Sequence, residues 1–119
     1  MTAFTAGSDS VDPVPVSEIT VDDLAPLWEA GAVVVDVRNP DEYAEAHVPG
    51  VVLIPLPEFQ QRHGEVPEAD TVYVICRSGH RSLSACEFLQ GQGRAAVNVA
   101  GGTMAWVQSG RPVESGSGT

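Results

Sequence analysis

A cysteine followed by a short glycine-containing loop is the part of the chain best suited to chemistry. Residues 76–82 read Cys-Arg-Ser-Gly-His-Arg-Ser, after an apolar run at 71–75 and before a helix-like stretch. A loop between a buried strand and a helix start can converge backbone N–H groups on one point, where partial positive charge also collects. This arrangement suits an anionic sulfur, so Cys76 is a candidate thiolate nucleophile that carries an anionic group.

A thiolate at neutral pH requires a lowered pKa. A free cysteine has a pKa of about 8.5, and lowering it by two units takes roughly 2.7 kcal/mol. A helix N-terminus supplies only about 0.3–1 kcal/mol, so we expect N–H donors and the charges of Arg77 and Arg81 to supply the rest. Gly79 suits a tight cradle because it tolerates positive φ, and Ser78 and Ser82 add hydroxyl donors. The alternative is a buried strand cysteine beside an ordinary turn.

The composition limits the classes of partner. The 119 residues are enough for one domain, and hydrophobic residues make up 43% of them. The formal net charge is −10, and all six positive charges are arginines, two of which lie in the loop after Cys76. Such a surface repels nucleic acid and anionic membranes, and no apolar run is long enough to span a bilayer. A cytoplasmic location is the default expectation, because the N-terminus lacks the pattern of a signal peptide.

Strand-like and helix-like segments alternate along the chain. Continuous apolar, β-branched runs are typical of strands that are buried on both faces. Strands are predicted at 17–20, 32–37, 51–54, 71–75 and 95–99, and helices at 21–30, 39–46, 57–62, 81–90 and 103–108. This alternation predicts an α/β fold with a mainly parallel five-stranded central sheet and helices on both faces. Ligands bind such sheets beyond the carboxyl ends of the strands, where Cys76 is expected to lie.

Polar segments flank this alternating region. Residues 1–15 are predicted to be a flexible N-terminal segment, 16–112 a single domain, and 113–119 a flexible C-terminal tail. The two cysteines, Cys76 and Cys86, are expected to be reduced thiols, because cytosolic domains rarely contain disulfides.

Four stretches of the chain resemble, in the same order, segments of the single-domain rhodaneses, the thiosulfate sulfurtransferase family. Residues 35–43 (VDVRNPDEY) resemble the Asp-Val-Arg segment of that family, and residues 47–51 (HVPGV) resemble its His-Ile-Pro-Gly-Ala segment. Residues 76–82 (CRSGHRS) resemble its active-site loop, and residues 101–106 (GGTMAW) resemble its C-terminal Gly-Gly segment. Order and spacing agree over residues 17–112, which is nearly the whole of the predicted domain.

The resemblance implies a rhodanese-like domain that transfers sulfur in two steps. The Cys76 thiolate would take the outer sulfur of thiosulfate or a related anionic donor, and cyanide or a thiol acceptor would then remove it from the Cys76 persulfide. The resemblance assigns catalysis to Cys76 and substrate binding to Arg77, Ser78, Gly79, His80, Arg81 and Ser82. Arg77 and Arg81 are the expected attractors of the anionic donor.

Other functions stay open at this point. The chain could be a sulfur-relay carrier that delivers persulfide sulfur to a partner protein, with thiosulfate turnover incidental. It could also be a non-catalytic interaction module of the same fold, although such a module has no need of Cys76. In phosphatases with a related loop, five residues separate the cysteine from the arginine; four separate Cys76 from Arg81 here, which favours sulfur transfer.

Each of four further assignments has two interpretations. Asp36 and Arg38 are predicted to form a structural pair near the site, because a buried carboxylate needs a partner; direct contact with substrate is the alternative. His80 either points to solvent or assists the acceptor, and Cys86 is either buried in the core or acts as a resolving thiol. No histidine has metal-ligand spacing with a cysteine, so neither a metal nor another cofactor is expected.

Overall fold

The computed structural model of the protein describes residues 15–116 and has the predicted α/β architecture. The strands are β1 (Ser17–Ile19), β2 (Val33–Asp36), β3 (Val52–Leu53), β4 (Val72–Ile75) and β5 (Ala96–Val99). They form one sheet in the order β1-β5-β4-β2-β3, and every neighbouring pair is parallel. The predicted fold class is therefore confirmed, with a sheet that is wholly parallel.

In the described part of the chain, residues 15–116, five α-helices connect and cover these strands. The helices are α1 (Val21–Glu29), α2 (Pro40–Glu45), α3 (Phe59–Arg62), α4 (Arg81–Gly91) and α5 (Gly102–Gln108). Within residues 15–116, none of them combines the length and the apolar character that crossing a bilayer requires.

The core consists of two apolar clusters, one on each face of the sheet. Residues of α3 and α4 cover one face, and residues of α1, α2 and α5 cover the other. Adjacent residues of β4 divide between them, since Val74 belongs to the first cluster and Ile75 to the second. A strand buried on both faces is what the continuous β-branched runs predicted.

The register of the central strands determines what surrounds the end of β4. Val74 lies beside Val35 of β2 on one side and beside Asn98 of β5 on the other. Ile75, the last residue of β4, lies beside Asp36. Cys76, the residue that follows β4, therefore lies between the carboxyl ends of β2 and β5.

Helix α5 is hydrogen-bonded to the two residues that follow β4, Cys76 and Arg77. Its Thr103 N–H donates to the carbonyl oxygen of Cys76 at 2.8 Å, and its Met104 N–H donates to that of Arg77 at 3.1 Å. Trp106, buried on α5, packs edge-on against Trp28 of α1 with 5.2 Å between ring centroids. The chain that leaves β4 is thus anchored through α5 to the helical layer.

The stretch after β3 is less regular than predicted. The helix expected at 57–62 begins as a 3-10 turn (Leu56–Glu58) before α3, and a second 3-10 turn (His63–Glu65) follows it. In the first turn the Glu58 N–H donates to the carbonyl oxygen of Pro55 at 2.9 Å. A hydrogen bond between residues three apart in sequence is the pattern of a 3-10 turn.

The predicted C-terminal tail has partners in the structure over residues 113–116. Glu114 and His47 exchange two backbone hydrogen bonds of 2.8 and 2.9 Å, and the Gly116 N–H donates to the carbonyl oxygen of Ala44 at 2.7 Å. The chain therefore pairs with the domain beyond the predicted boundary at 112. Residues 1–14 and 117–119, which make up the rest of the two predicted flexible segments, lie outside the described residues.

Candidate active site

Cys76 occupies the predicted position, directly after β4 at the carboxyl end of the sheet. It is 1% exposed, and its sulfur accepts a hydrogen bond from the backbone N–H of Gly79 at 3.1 Å. The hydroxyl of Ser82 lies 3.3 Å from the same sulfur. The loop therefore curls over the sulfur with its hydrogen-bond donors facing inward.

The pKa of Cys76 is lowered below its ordinary value. Burial raises this pKa, but hydrogen bonds from the Ser82 hydroxyl and from the N–H groups of Ser82, Gly79 and Ser78 together outweigh burial. A lowered pKa is what the loop pattern predicted. Hydrogen bonds are the source of this lowered pKa, whereas the prediction named both N–H donors and the charges of Arg77 and Arg81.

Gly79 gives the loop its curvature. Its φ is +105°, a backbone conformation that side chains disfavour. In this conformation the N–H of Gly79 points at the sulfur while its carbonyl oxygen accepts a hydrogen bond from Asn98 at 3.0 Å. The predicted role of Gly79 in forming a tight cradle agrees with this geometry.

Arg81 is engaged by a carboxylate rather than left free for a ligand. Its guanidinium donates two hydrogen bonds of 2.8 Å to the two carboxylate oxygens of Glu42 on α2. The hydrogen bonds from Arg81 lower the pKa of Glu42 to about 2, so the carboxylate is ionised at neutral pH. The positive charge predicted to attract an anionic donor is thus largely compensated within the protein.

Arg77, unlike Arg81, is not paired with a carboxylate in the described part of the chain. It is exposed, and within residues 15–116 its side chain makes no ion pair and no side-chain hydrogen bond. It lines a cavity of about 170 Å³ together with Arg38, Glu42 and Thr103. Of the two loop arginines, Arg77 is therefore the one with an uncommitted charge.

Asp36 and Arg38 form the buried pair that one of the two interpretations predicts. The guanidinium of Arg38 donates to both carboxylate oxygens of Asp36 at 2.9–3.1 Å, and its Nη2 also donates to the carbonyl oxygen of Ala46 at 2.8 Å. Asp36 is 0% exposed and Arg38 is 5% exposed. The pair joins β2 to the end of α2, and a role in substrate binding stays a prediction.

His80 is exposed and Cys86 is buried, and a role for His80 toward the acceptor stays a prediction. His80 is exposed at the start of α4 and makes no capping hydrogen bond there. Cys86 is fully buried in the apolar cluster beside α4, and burial, with smaller contributions from nearby charges, raises the pKa of its thiol to about 12. Both cysteines are free thiols.

Two residues that contact the loop or its arginine were not singled out from the sequence. Glu42 pairs with Arg81, and buried Asn98 of β5 contacts both Gly79 and Ser82. Asn98 could have been found, because it is an amide inside an otherwise apolar strand, at the same sheet edge as Cys76. Glu42 belongs to the segment 35–43 that carries the resemblance, but no role was assigned to it, since an acidic residue in a first helical turn is ordinary.

The amino-acid sequence of this chain is similar to those of known proteins. The family of rhodanese-like domains matches residues 20–109. A sulfurtransferase of Allochromatium vinosum is 38% identical over 85 residues, which cover 71% of this chain and 79% of that protein. Thiosulfate sulfurtransferase PspE of Escherichia coli is 43% identical over 70 residues, covering 57% of this chain and 67% of that protein.

Another relative is larger than this chain. YrkF of Bacillus subtilis, named as a sulfur carrier protein, is 45% identical over 74 residues, which cover 61% of this chain and 40% of YrkF. This chain thus corresponds to less than half of that protein.

Solved structures show the same fold. The crystal structure of a rhodanese-related protein from Thermoplasma volcanium matches with a TM-score of 0.77 and 33% identity, covering 82% of this chain and 97% of that one. A rhodanese-like domain protein from Staphylococcus aureus matches with a TM-score of 0.76 and 31% identity, covering 86% of this chain and 100% of that one. A family match over most of the chain, relatives that transfer or carry sulfur and a shared fold agree with one another. The chain belongs to the family of rhodanese-like sulfurtransferases and sulfur carriers.

Proposed function

We propose that the protein is a sulfurtransferase that moves sulfane sulfur from thiosulfate or a related anionic donor to cyanide or a thiol, through a persulfide on Cys76. The observation that carries the proposal is the hydrogen bond of 3.1 Å from the Gly79 N–H to the Cys76 sulfur, within a loop that lowers the pKa of this thiol. A thiol whose pKa is lowered by fixed donors ionises more readily, and the thiolate is the nucleophile.

The first half of the reaction loads the cysteine. The ionised sulfur of Cys76 attacks the outer sulfur of thiosulfate, a new sulfur–sulfur bond forms, and sulfite leaves with the electron pair of the old bond. The negative charge of the persulfide then lies on its outer sulfur. We infer that the N–H groups of Ser78, Gly79 and Ser82, which already lower the pKa of Cys76, also hold that charge.

The second half unloads the cysteine. Cyanide or a thiolate attacks the outer sulfur, and Cys76 leaves as the thiolate with which the cycle began. A low pKa helps this step as well, since a more stable thiolate is a better leaving group. The same hydrogen bonds therefore assist both halves of the transfer.

A sulfur donor such as thiosulfate can reach the sulfur of Cys76 only if side chains of the loop move aside. Cys76 is 1% exposed, whereas Arg77, Ser78 and His80 around it are exposed. Side chains at these positions can move without disturbing the buried N–H of Gly79. We infer that the donor enters past them and that Arg77, whose charge is uncommitted, attracts it.

The mass of the protein tests the proposal directly. The reduced protein is incubated with thiosulfate, desalted and measured intact, and the peptide that carries Cys76 is then measured after digestion. We expect a gain of one sulfur atom on this peptide, which disappears after addition of cyanide or a reducing thiol. An unchanged mass with thiosulfate would exclude it as the donor.

A sulfur-relay carrier is the second candidate, favoured by the similarity to YrkF, which is named as a sulfur carrier. A carrier would form the same persulfide but deliver it to a partner protein. Efficient steady-state turnover of thiosulfate and cyanide would support the enzyme. Poor turnover together with rapid loading from a cysteine desulfurase would support the carrier.

Arg77→Ala should raise the KM for thiosulfate about 10-fold and leave kcat within about twofold. The expected size is that of one charge-assisted contact, about 1.5 kcal/mol. Because Arg77 is exposed and unpaired within residues 15–116, the substitution should change the unfolding free energy by less than about 0.5 kcal/mol. Steady-state kinetics over a range of thiosulfate concentrations give both constants.

Arg62→Ala is the matched control for this prediction. It removes the same charge from an arginine on α3 that pairs with Glu58 and Glu65. The control should leave the KM unchanged. An equal rise in both variants would mean that net charge alone attracts the donor, and no rise in Arg77→Ala would remove Arg77 from the site.

A further inference from the structure

The buried side chain of Asn98 connects three parts of the molecule beside the sulfur. Its Nδ2 donates to the carboxylate of Glu18 on β1 at 2.8 Å and to the carbonyl oxygen of Gly79 at 3.0 Å. Its Oδ1 accepts a hydrogen bond from the hydroxyl of Ser82 on α4. Asn98 is 0% exposed, so these contacts satisfy an amide that is shielded from water.

The neighbours of Asn98 determine which way its amide faces. Both partners of Nδ2 are acceptors without a proton to give, a carboxylate and a peptide carbonyl. A reversed amide would place its oxygen against two other oxygens and could use its N–H bonds only toward the hydroxyl oxygen of Ser82, so two hydrogen bonds would be lost. The oxygen of Asn98 is therefore held toward Ser82.

The hydroxyl of Ser82 then has one proton and two acceptors. One acceptor is Oδ1 of Asn98, and the other is the sulfur of Cys76 at 3.3 Å. A hydroxyl donates one hydrogen bond at a time, and Ser82 is 0% exposed. Donation to the sulfur leaves the buried oxygen of Asn98 without its partner, and donation to Asn98 leaves the sulfur with fewer donors.

We propose that Asn98 is a positioning residue that competes with the Cys76 sulfur for the single hydroxyl proton of Ser82. The hydroxyl turns to the sulfur when Cys76 is a thiolate and to Asn98 when the inner sulfur carries no charge. Only rotation about the C–O bond of Ser82 is involved. This inference rests on the proposed function in taking Cys76 as the residue that carries sulfur.

The competition favours the states in which the inner sulfur is uncharged. These states are the thiol, whose S–H can donate to the oxygen of Ser82, and the persulfide, whose charge lies on the outer sulfur. Asn98 therefore restrains ionisation of Cys76 and favours the loaded cysteine over the free thiolate. A site without this amide would hold more thiolate but would be loaded less completely.

Other charged and titratable groups also act on the sulfur or on its neighbours, and the test leaves them unchanged. Arg81 and Cys86 on α4 interact electrostatically with Cys76. Asp36 on β2 acts on Arg81, and Glu18 on β1 contacts Asn98. Since none of them is altered, a shift measured in variants of Asn98 and Ser82 arises from these two side chains.

The rate of alkylation of Cys76 by iodoacetamide as a function of pH measures the thiolate directly. Asn98→Ala should lower the midpoint of this profile by about one pH unit, the size of a hydrogen bond to a charged group. Ser82→Ala should raise the midpoint by about as much. In the Ser82→Ala background, Asn98→Ala should shift the midpoint by less than about 0.3 units, because the contested proton is gone.

The sign of the shift separates competition from a merely structural role. If Asn98 only held the Gly79 carbonyl, its loss would misalign the Gly79 N–H and raise the midpoint. A raised or unchanged midpoint, or an equal shift in the Ser82→Ala background, would overturn the proposal. Asn98→Val, whose branched side chain suits a strand, makes the same test if the alanine variant does not fold.

The unmodified protein offers an independent measurement. The side-chain amide resonances of Asn98 should move with the same midpoint as Cys76 in an NMR titration and should lose this response in Ser82→Ala. Resonances that ignore the titration of Cys76 would contradict the proposal. Neither experiment uses a sulfur donor. If thiosulfate fails to load Cys76, the proposed function is contradicted for this donor, but the two experiments still test the competition for the proton of Ser82.

Discussion

Cys76→Ser should reduce sulfur transfer from thiosulfate to cyanide to the uncatalysed background, a loss of more than about 1,000-fold. A serine hydroxyl does not ionise in this pH range and cannot form a persulfide. The intact mass of the variant should therefore stay unchanged after incubation with thiosulfate. Steady-state assay and mass spectrometry measure the two consequences on the same sample.

The fold should survive this substitution. The serine oxygen can accept the hydrogen bond that the Gly79 N–H now gives to the sulfur, and the side chain shrinks only slightly. We expect the unfolding free energy to fall by about 1 kcal/mol, measured by urea denaturation. A variant that retains transfer would refute the assignment of Cys76 as the nucleophile.

Cys86→Ala is the matched control, because it removes the other thiol of the chain. Cys86 is fully buried in the apolar cluster beside α4, and alanine leaves no unpaired hydroxyl there. The raised pKa of Cys86, about 12, keeps it a neutral thiol at the pH of the assay. Transfer should therefore be nearly intact in this variant, and a large loss would mean that Cys86 takes part in the chemistry.

Local patterns were sufficient to predict the elements that position the site. The strand expected at 71–75 is observed as β4 (Val72–Ile75), and the helix expected at 81–90 is observed as α4 (Arg81–Gly91). Such segments are predictable because β-branched runs and helical starts act over neighbouring residues. Because Cys76 directly follows the strand expected at 71–75, it was predicted at the carboxyl end of the sheet. Ligand sites of parallel sheets lie at this end.

Contacts between distant residues could not be predicted in this way. Arg81 and Glu42 are 39 residues apart in sequence, and Asn98 and Glu18 are 80 residues apart. Whether Arg81 faces a ligand or a carboxylate depends on where α2 packs, which no local pattern specifies. For this reason an anion-binding role was predicted for both loop arginines, although among residues 15–116 a carboxylate pairs with Arg81 and none pairs with Arg77.

The close approach of α5 to the loop is a second feature that only the tertiary structure reveals. A Cβ atom at Gly102 would lie 2.4 Å from the carbonyl oxygen of Cys76 and 2.5 Å from that of Arg77. The φ of Gly102 is +57°, in the left-handed region. Only a residue without a side chain lets the first turn of α5 donate to these two carbonyl groups.

Gly102→Ala should destabilise the protein by about 3–5 kcal/mol, since the methyl group meets backbone atoms that cannot move aside. Relieving the clash requires α5 to shift away from the loop, which breaks the hydrogen bonds from Thr103 and Met104. Urea denaturation measures the loss of stability. The midpoint of the alkylation profile should also rise, because a loop without this anchor no longer holds on Cys76 the donors that lower its pKa.

Gly110→Ala separates the clash from the backbone strain. Gly110 also has a left-handed backbone, with φ of +79°, but a Cβ atom there has no neighbour within 4 Å. Its replacement should cost only about 1–2 kcal/mol, the strain of the left-handed conformation itself. Equal losses in the two variants would show that conformation alone accounts for Gly102, and α5 would then not support the cysteine loop through close contact.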